Sequence, residues 1–276
     1  MKCFQVERSR FLIVSKLMEY KRIIVKVGTS IITSPSDSFE AGYIAEIVND
    51  ICKIREGREV ILVSSGAIGA GMQILGMQIY PEAISLKQAT AAIGQSRLMH
   101  IYEELFGRYD QPIAQILLTH RELGNKREWL NILRTFNTLF SFSVIPIVNE
   151  NDAVATEELN PIFSDNDSLA AHLASLLTVD LLILLTDEDG LYKTDKSGKA
   201  LELIREVSEI TKEVEGWVRD TEGKISRGGM KAKLSAVKLA TASGTKTVIA
   251  SGRKKGTISK IIGGESIGTV FFPALK

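Results

Sequence analysis

Cysteine, net charge and long apolar runs are all scarce in this chain of 276 residues. Its two cysteines, Cys3 and Cys52, form no CxxC pair and join no cysteine–histidine cluster, which excludes a disulfide framework and a structural zinc site. Lys and Arg total 34 against 33 Asp and Glu, and this balance argues against broad neutralisation of nucleic-acid phosphates. The most apolar run, 181–185, is far shorter than the ~20 residues of a membrane span. We therefore expect a cytoplasmic protein without nucleic-acid or membrane partners.

The first 21 residues are basic and apolar, but their apolar run is too short for a secretory signal and no small-residue cleavage site follows. We expect residues 1–21 to be an N-terminal extension. Met18 is a second candidate start of translation, which would leave the residues before it outside the natural protein.

From residue 22 onward, short β-rich runs alternate with helical periods, which is typical of a mainly parallel sheet covered by helices. The predicted strands span residues 23–27, 60–63, 113–118, 144–148, 181–185, 246–250 and 269–272. The predicted helices span residues 44–54, 87–106, 127–140, 168–177 and 230–242. We expect the polar stretch 193–224 to pass over the active face. With no repeat or linker between these elements, the fold class is one α/β domain, a three-layer αβα sandwich.

Ligands of such sheets bind beyond the carboxyl ends of the strands, so the residues that follow each strand form the candidate site. Lys26 and Gly28 flank the end of the first strand, where a glycine lets backbone N–H groups approach an anion. The small residues 64–71 follow the second strand and open a helix whose N–H groups suit a negative group. A tight turn and close helix packing are the alternative explanations for these two segments.

Two polar runs, NEND at 149–152 and SDND at 164–167, contain seven amides or acids among eight residues. This density exceeds what a turn or a helix cap requires. Asp152 can pair with a substrate ammonium, Asn166 can donate to a carboxylate, and a further acid can orient lysines or hold magnesium. These groups suit a small zwitterion.

The run 227–233 places two glycines before a helix with Lys233 one turn in, which suits the phosphates of a nucleotide. The alternative is a loop followed by a solvated basic helix face. The sequence has no Walker A, GxGxxG or GxSxG motif, and none of its three histidines lies in these segments. Phosphoryl transfer to an ionised carboxylate needs no general base, only positioning and positive charge, which Lys26 and Lys233 can supply.

Seven motifs occurring together resemble the glutamate 5-kinases of the amino acid kinase family. They are VKVGTS from Val25, SSGAIGAG from Ser64, LKQATAAIGQSRL from Leu86, IPIVNENDAV from Ile145, SDNDSLAA from Ser164, LLTDEDGLY from Leu184 and GGMKAK from Gly228. The resemblance implies a carbamate kinase-like fold that uses ATP and Mg²⁺ to phosphorylate the side-chain carboxylate of L-glutamate, the first step of proline biosynthesis. It also implies a homo-oligomer (dimer or tetramer), feedback inhibition by L-proline and hand-over of the product to glutamate-5-semialdehyde dehydrogenase.

The same resemblance assigns roles to individual residues. Lys26 and Lys233 correspond to the pair that neutralises the moving phosphoryl group, and Asp167 to the carboxylate that orients them. The glutamate ligands correspond to Ser65, Asp152 and Asn166, and Gly28 and Gly66 line the phosphate path. The positions that correspond to the ATP site are Lys26, Gly28, Thr186, Asp187, Arg227, Gly228, Gly229, Met230, Lys231, Ala232 and Lys233. No metal ligand is assigned.

The chain departs from the family pattern in three places. Ser164 stands where members more often have glycine, Ser226-Arg227 where they have glycine-threonine, and Ala232 where they have threonine. Many members also carry a C-terminal PUA domain, whereas here we expect a kinase domain over 22–276 and no PUA domain. The alternatives are a relative acting on a different carboxylate or phosphate, and a non-catalytic nucleotide-sensing regulator, against which the two lysines argue.

Overall fold

The computed structural model describes residues 20–32, 41–154, 166–195, 200–218 and 229–274. The strands are β1 (Arg22–Val27), β2 (Glu59–Ser64), β3 (Ile113–Leu118), β4 (Ile145–Glu150), β5 (Leu181–Thr186), β6 (Tyr192–Thr194), β7 (Ala200–Leu203), β8 (Glu206–Val207), β9 (Lys246–Ser251) and β10 (Thr269–Phe271). The helices are α1 (Thr29–Ile32), α2 (Ala41–Ile54), α3 (Ala67–Leu75), α4 (Ile84–Gly107), α5 (His120–Gly124), α6 (Lys126–Ser141), α7 (Asn166–Leu177), α8 (Lys212–Gly216), α9 (Met230–Ala242) and α10 (Thr257–Ile262).

One mainly parallel sheet runs through the centre of the chain. Its strand order is β3-β4-β2-β1-β5-β9-β10-β8, and β10 runs antiparallel to β9. Strands β6 and β7 form a separate antiparallel pair. All six residues of β5 are buried, which explains its unbroken apolar sequence, because a central parallel strand is covered on both faces.

Two apolar clusters cover the two faces of the sheet. Alternate side chains of β1 point to opposite faces, so Ile23 and Val25 join one cluster and Ile24 joins the other. Helices α2, α4 and α10 contribute to the first cluster, and helices α6, α7 and α9 to the second. The predicted three-layer αβα sandwich is therefore confirmed. None of the described helices is long and apolar enough to cross a membrane.

All seven predicted strands and all five predicted helices are present, with ends shifted by a few residues. The described residues of the stretch 193–224 include the short strand β8, which pairs with β10 at the sheet edge, and the short helix α8, and its path over the active face stays a prediction. A strand of two residues, 206 and 207, is too short to produce an alternating pattern. Strands β6 and β7 and helices α1, α5 and α10 were likewise not predicted.

Helices α3 and α4 approach each other unusually closely, and glycines make this possible. A Cβ atom on Gly94 would lie 1.8 Å from the carbonyl oxygen of Ala67, and one on Gly71 would lie 1.9 Å from that of Thr90. Both positions therefore require glycine. The contact presses the start of α3, which directly follows β2, against the middle of α4.

Candidate active site

The carboxyl ends of the central strands meet at one edge of the sheet. In the parallel register, Val27 of β1 lies beside Ser64 of β2 and Leu185 of β5, and Thr186 lies beside Ser251 of β9. The loops and helices that follow these strands are consequently neighbours in space. Most of the sequence-predicted site residues lie at this edge.

A buried cluster of three charged groups lies there, formed by Lys26, Asp167 and Lys233. The Nζ atom of Lys26 lies 2.6 Å from Oδ1 of Asp167, and Nζ of Lys233 donates to Oδ2 of Asp167 at 3.1 Å. Asp167 is fully buried, and Lys26 and Lys233 are only 3% and 6% exposed. Lysines are rarely buried this deeply without a partner. The cluster combines two positive charges with one negative charge, which makes it attractive to an anion.

Burial and the two neighbouring lysines shift the pKa of Asp167 in opposite directions. Loss of water by itself raises the pKa of a carboxyl group, but the ammonium charges and hydrogen bonds of Lys26 and Lys233 outweigh it, so the pKa of Asp167 lies below its ordinary value. Asp167 is therefore ionised at neutral pH. It can hold both lysine side chains in fixed positions.

Asn166, the first residue of α7, connects this cluster to the ends of β2 and β4. Its Nδ2 donates to Ser65 Oγ at 3.1 Å and to Asn149 Oδ1 at 2.8 Å. Its Oδ1 accepts from the backbone N–H of Glu150 at 3.2 Å. The structure thus brings together Ser65 and Asn166, which the sequence motifs had paired as substrate ligands.

A buried pair of hydroxyl groups stabilises the turn that carries Ser65. The Oγ atom of Ser64 lies 2.8 Å from the Tyr102 hydroxyl and donates to the Ser65 carbonyl oxygen at 3.0 Å. Burial raises the pKa of Tyr102 to about 12, although the bond to Ser64 opposes the shift. The next residue, Gly66, has a φ of 101°, a left-handed conformation that favours glycine. Because of this turn, α3 begins directly beside the candidate site.

A cavity of about 580 Å³ opens next to Glu150, the residue whose backbone N–H donates to Asn166. Its wall includes Gln95 and His100 of α4, Gln115 of β3, and Glu150 and Asp152 at the end of β4. The third predicted substrate ligand, Asp152, therefore faces a space large enough for an amino acid. Together with Glu103, the wall carries three carboxyl groups, an environment that attracts an ammonium group.

Polar groups also connect the ends of β1, β5 and β9. Oδ1 of Asp187 accepts from Thr186 Oγ1 at 3.1 Å and from Ser30 Oγ at 3.2 Å. The guanidinium group of Arg253 donates to the backbone carbonyl of Ser30 at 3.1 Å. Gly28 lies in the same place, with its N–H 3.3 Å from the carbonyl oxygen of Leu185.

The predicted phosphate-binding run is described only from Gly229 onward. Gly229 is the N-cap of α9 and has no side chain that could cap the helix. The first turn contains Met230, Lys231, Ala232 and Lys233. The first turn of a helix presents backbone N–H groups to an anion. Arg227 and Gly228, like the departures Ser164 and Ser226, lie outside the described residues.

Four residues at this edge received no role from the sequence. They are Ser30, Gln95, Asn149 and Arg253. Gln95 and Asn149 lie inside quoted motifs, but a single amide on a helix or at a strand end has no recognisable spacing. Among the described residues, no group of three or more His, Cys, Asp or Glu side chains is placed to hold a metal ion.

Comparison with known proteins gives a consistent result. The family described as "Amino acid kinase family" matches residues 21–251. A protein named glutamate 5-kinase from Clostridium perfringens is 44% identical over 92% of this chain and 96% of its own length. The glutamate 5-kinase of Clostridium acetobutylicum is 44% identical over 94% of this chain and 97% of its own length. That of Geobacter metallireducens is 42% identical, covering 94% of this chain and 69% of the relative.

Proposed function

Because the chain belongs to the amino acid kinase family, we propose that it transfers the γ-phosphoryl group of ATP to the side-chain carboxylate of L-glutamate. Its similarity to glutamate 5-kinases over nearly their full length supports this acceptor. The product is γ-glutamyl phosphate, and the reaction is the first step of proline biosynthesis. The observation that carries the proposal is the buried cluster of Lys26, Asp167 and Lys233, which Asn166 connects to Glu150 on the wall of an acidic cavity.

The reaction needs no proton transfer. A side-chain carboxylate oxygen of glutamate forms a bond to the γ-phosphorus, the bond from this phosphorus to the β–γ bridging oxygen breaks, and ADP leaves with the electron pair. We assign Lys26 and Lys233 to stabilise the charge on the phosphoryl oxygens, and Asp167 to hold the lysines in position. Ammonium groups fixed in a dry site stabilise such charge without reorganising during the reaction.

The glutamate molecule is assigned to the cavity. Asp152, on its acidic wall, suits the α-ammonium group, and the hydroxyl of Ser65, held in place by the Asn166 amide, can donate to a carboxylate. The phosphate tail of ATP is assigned to the sheet edge, where Gly28 follows β1, Thr186 and Asp187 lie at the end of β5, the first turn of α9 begins after Gly229, and Gly66 lies on the phosphate path. We also assign Arg227 and Gly228 to this nucleotide site by motif.

Mg²⁺ enters the site with ATP, as the MgATP substrate. Mg²⁺ commonly binds in this way, through substrate phosphates, one or two carboxylates and water.

We propose one kinase domain over 22–276, a homo-oligomeric dimer or tetramer, and hand-over of the labile acyl phosphate to glutamate-5-semialdehyde dehydrogenase. L-Proline shares an α-carboxylate and an α-nitrogen with glutamate, so we propose that it inhibits by competing for the same cavity. Inhibition that did not weaken as the glutamate concentration rises would contradict this last proposal.

The acceptor can be tested directly. The protein is incubated with MgATP, hydroxylamine and one acceptor at a time: L-glutamate, L-aspartate, N-acetyl-L-glutamate or UMP. Hydroxamate formation and ADP release are both measured, because hydroxylamine traps only acyl phosphates. We expect both signals with L-glutamate alone. ADP release with another acceptor only would keep the two-lysine mechanism and overturn the assigned substrate.

A further inference from the structure

Gln95 of α4 forms part of a chain of amide side chains that ends at Asn166, with the buried Asn149 in the middle and a half-buried residue at each end. Asn149 Nδ2 donates to Gln95 Oε1 at 2.7 Å, and Asn149 Oδ1 accepts from Asn166 Nδ2 at 2.8 Å. Asn149 is only 1% exposed, so water cannot easily replace these partners. Both ends of its amide are therefore committed to protein groups.

The hydrogen bonds allow only one orientation of the Asn149 amide. Its oxygen also accepts from the backbone N–H of Glu150 at 2.9 Å. A reversed amide would point its NH₂ group at the NH₂ of Asn166 and at this N–H, so that donors would face donors. The carbonyl oxygen of Gln95 stabilises the observed orientation of the Asn149 amide, because it accepts a hydrogen bond from the NH₂ group of Asn149.

The position of Gln95 depends on the glycine that precedes it. Gly94 allows α4 to approach the Ala67 carbonyl so closely that a Cβ atom would lie 1.8 Å from it. This close contact sets the depth at which the Gln95 side chain reaches Asn149. The α3–α4 packing and the amide chain thus form one continuous support beneath Ser65 and Asn166.

We propose that Gln95 is a positioning residue for the acceptor substrate, acting through Asn149 to fix the Asn166 amide and, through it, the Ser65 hydroxyl that accepts from Asn166. The inference rests on the proposed function, since it assigns Asn166 to the glutamate site. A buried donor left without its partner is unfavourable, so loss of the Gln95 acceptor allows Asn149 to turn or shift. Asn166 then loses its fixed orientation, and the affinity for glutamate falls while that for ATP does not.

The test compares three variants with the wild type: Gln95→Leu removes the acceptor, Gln95→Glu retains a carboxylate oxygen that can accept from Asn149, and Gln73→Leu is the control. Gln73 lies on the exposed surface of α3, so the same substitution there leaves the site intact. For each protein, the KM for glutamate, the KM for ATP, kcat and the melting temperature are measured. Calorimetric titration with L-glutamate alone measures binding without turnover.

For Gln95→Leu we expect the KM and Kd for glutamate to rise about tenfold or more, with the KM for ATP within about twofold of wild type. For Gln95→Glu we expect most of this loss to be restored, which separates an acceptor role from direct donation to the substrate, since a carboxylate cannot donate. An unchanged KM for glutamate in Gln95→Leu, equal losses for both substrates, or no restoration by Gln95→Glu would overturn the inference. A wild-type protein that forms no hydroxamate from glutamate would instead overturn the proposed function.

Discussion

The ammonium group of Lys26 lies 2.6 Å from the carboxylate of Asp167, and both side chains are almost completely buried. Asp167 binds Lys233 through its other oxygen, so one carboxylate fixes the positions of two cations that come from distant parts of the chain. Neither lysine can leave the sheet edge without breaking an ion pair in a site with little water. The geometry is thus prepared before any substrate binds.

Replacement of Lys26 by methionine should reduce kcat by a factor of about 10² to 10³, because a preorganised charge near the transferring group is lost. Folding should survive, since Asp167 retains its bond to Lys233. Steady-state kinetics and an ATP-binding titration would separate turnover from nucleotide binding. Lys254→Met is the matched control, because Lys254 pairs with Asp189 on the surface. Equal kcat values in the two variants would contradict the role of Lys26.

Replacement of Asp167 by asparagine should lower the melting temperature at neutral pH, because two buried ammonium groups lose their counter-charge. The pKa of Asp167 is lower in the folded protein than its ordinary value, so its stabilising contribution is complete above that ordinary value, 3.8, and is lost as the pH falls through the folded pKa. Chemical unfolding of both proteins between pH 7 and pH 3 would measure this. The stability difference should be largest near neutral pH and shrink below about pH 4. If the stability difference between the two proteins grew towards acid pH, the stabilising role of the ionised Asp167 would be contradicted.

Replacement of Asp152 by alanine should raise the KM for glutamate by a factor of about 10 or more and leave the KM for ATP nearly unchanged, since a charge-assisted contact with the α-ammonium group is lost. Initial-rate kinetics with each substrate varied in turn would test this. The control Glu104→Ala removes a carboxylate that is 59% exposed on α4 and pairs with His100. If the KM for glutamate remained at the wild-type value in Asp152→Ala, the assigned glutamate site would be wrong.

Substitution of Gly94 by alanine should destabilise the protein by about 1–3 kcal/mol or more, because the new methyl group overlaps the Ala67 carbonyl and must push α3 and α4 apart. Glutamate affinity should fall as well, since Gln95 moves with its neighbour. Gly107→Ala, at the end of the same helix, has open space around the added atom and should be neutral or slightly stabilising. Denaturant unfolding of the pair measures the difference, and equal stabilities would refute the close-packing argument.

The sequence revealed the candidate site only as separate segments. Gly28, Ser65 and Asp167 each lie in a recognisable motif, because strand ends and helix starts have characteristic small and polar residues. Gln95 and Asn149 could not be assigned in this way. Their role depends on a hydrogen bond between an amide on α4 and an amide at the end of β4, which no local pattern encodes.

The amino-acid sequence by itself determined the αβα architecture, the succession of the main strands along the chain and the candidate charged residues. Apolar periodicity and turn chemistry, on which these depend, are local properties. Only the tertiary structure decided that β1 lies between β2 and β5, and hence that Lys26 meets Asp167 and Lys233. It also decided the depth of α4 against α3 and the acidic cavity beside them. Strand neighbours and helix contacts are selected by burial and packing over the whole chain, so distances between remote residues exist only in the folded protein.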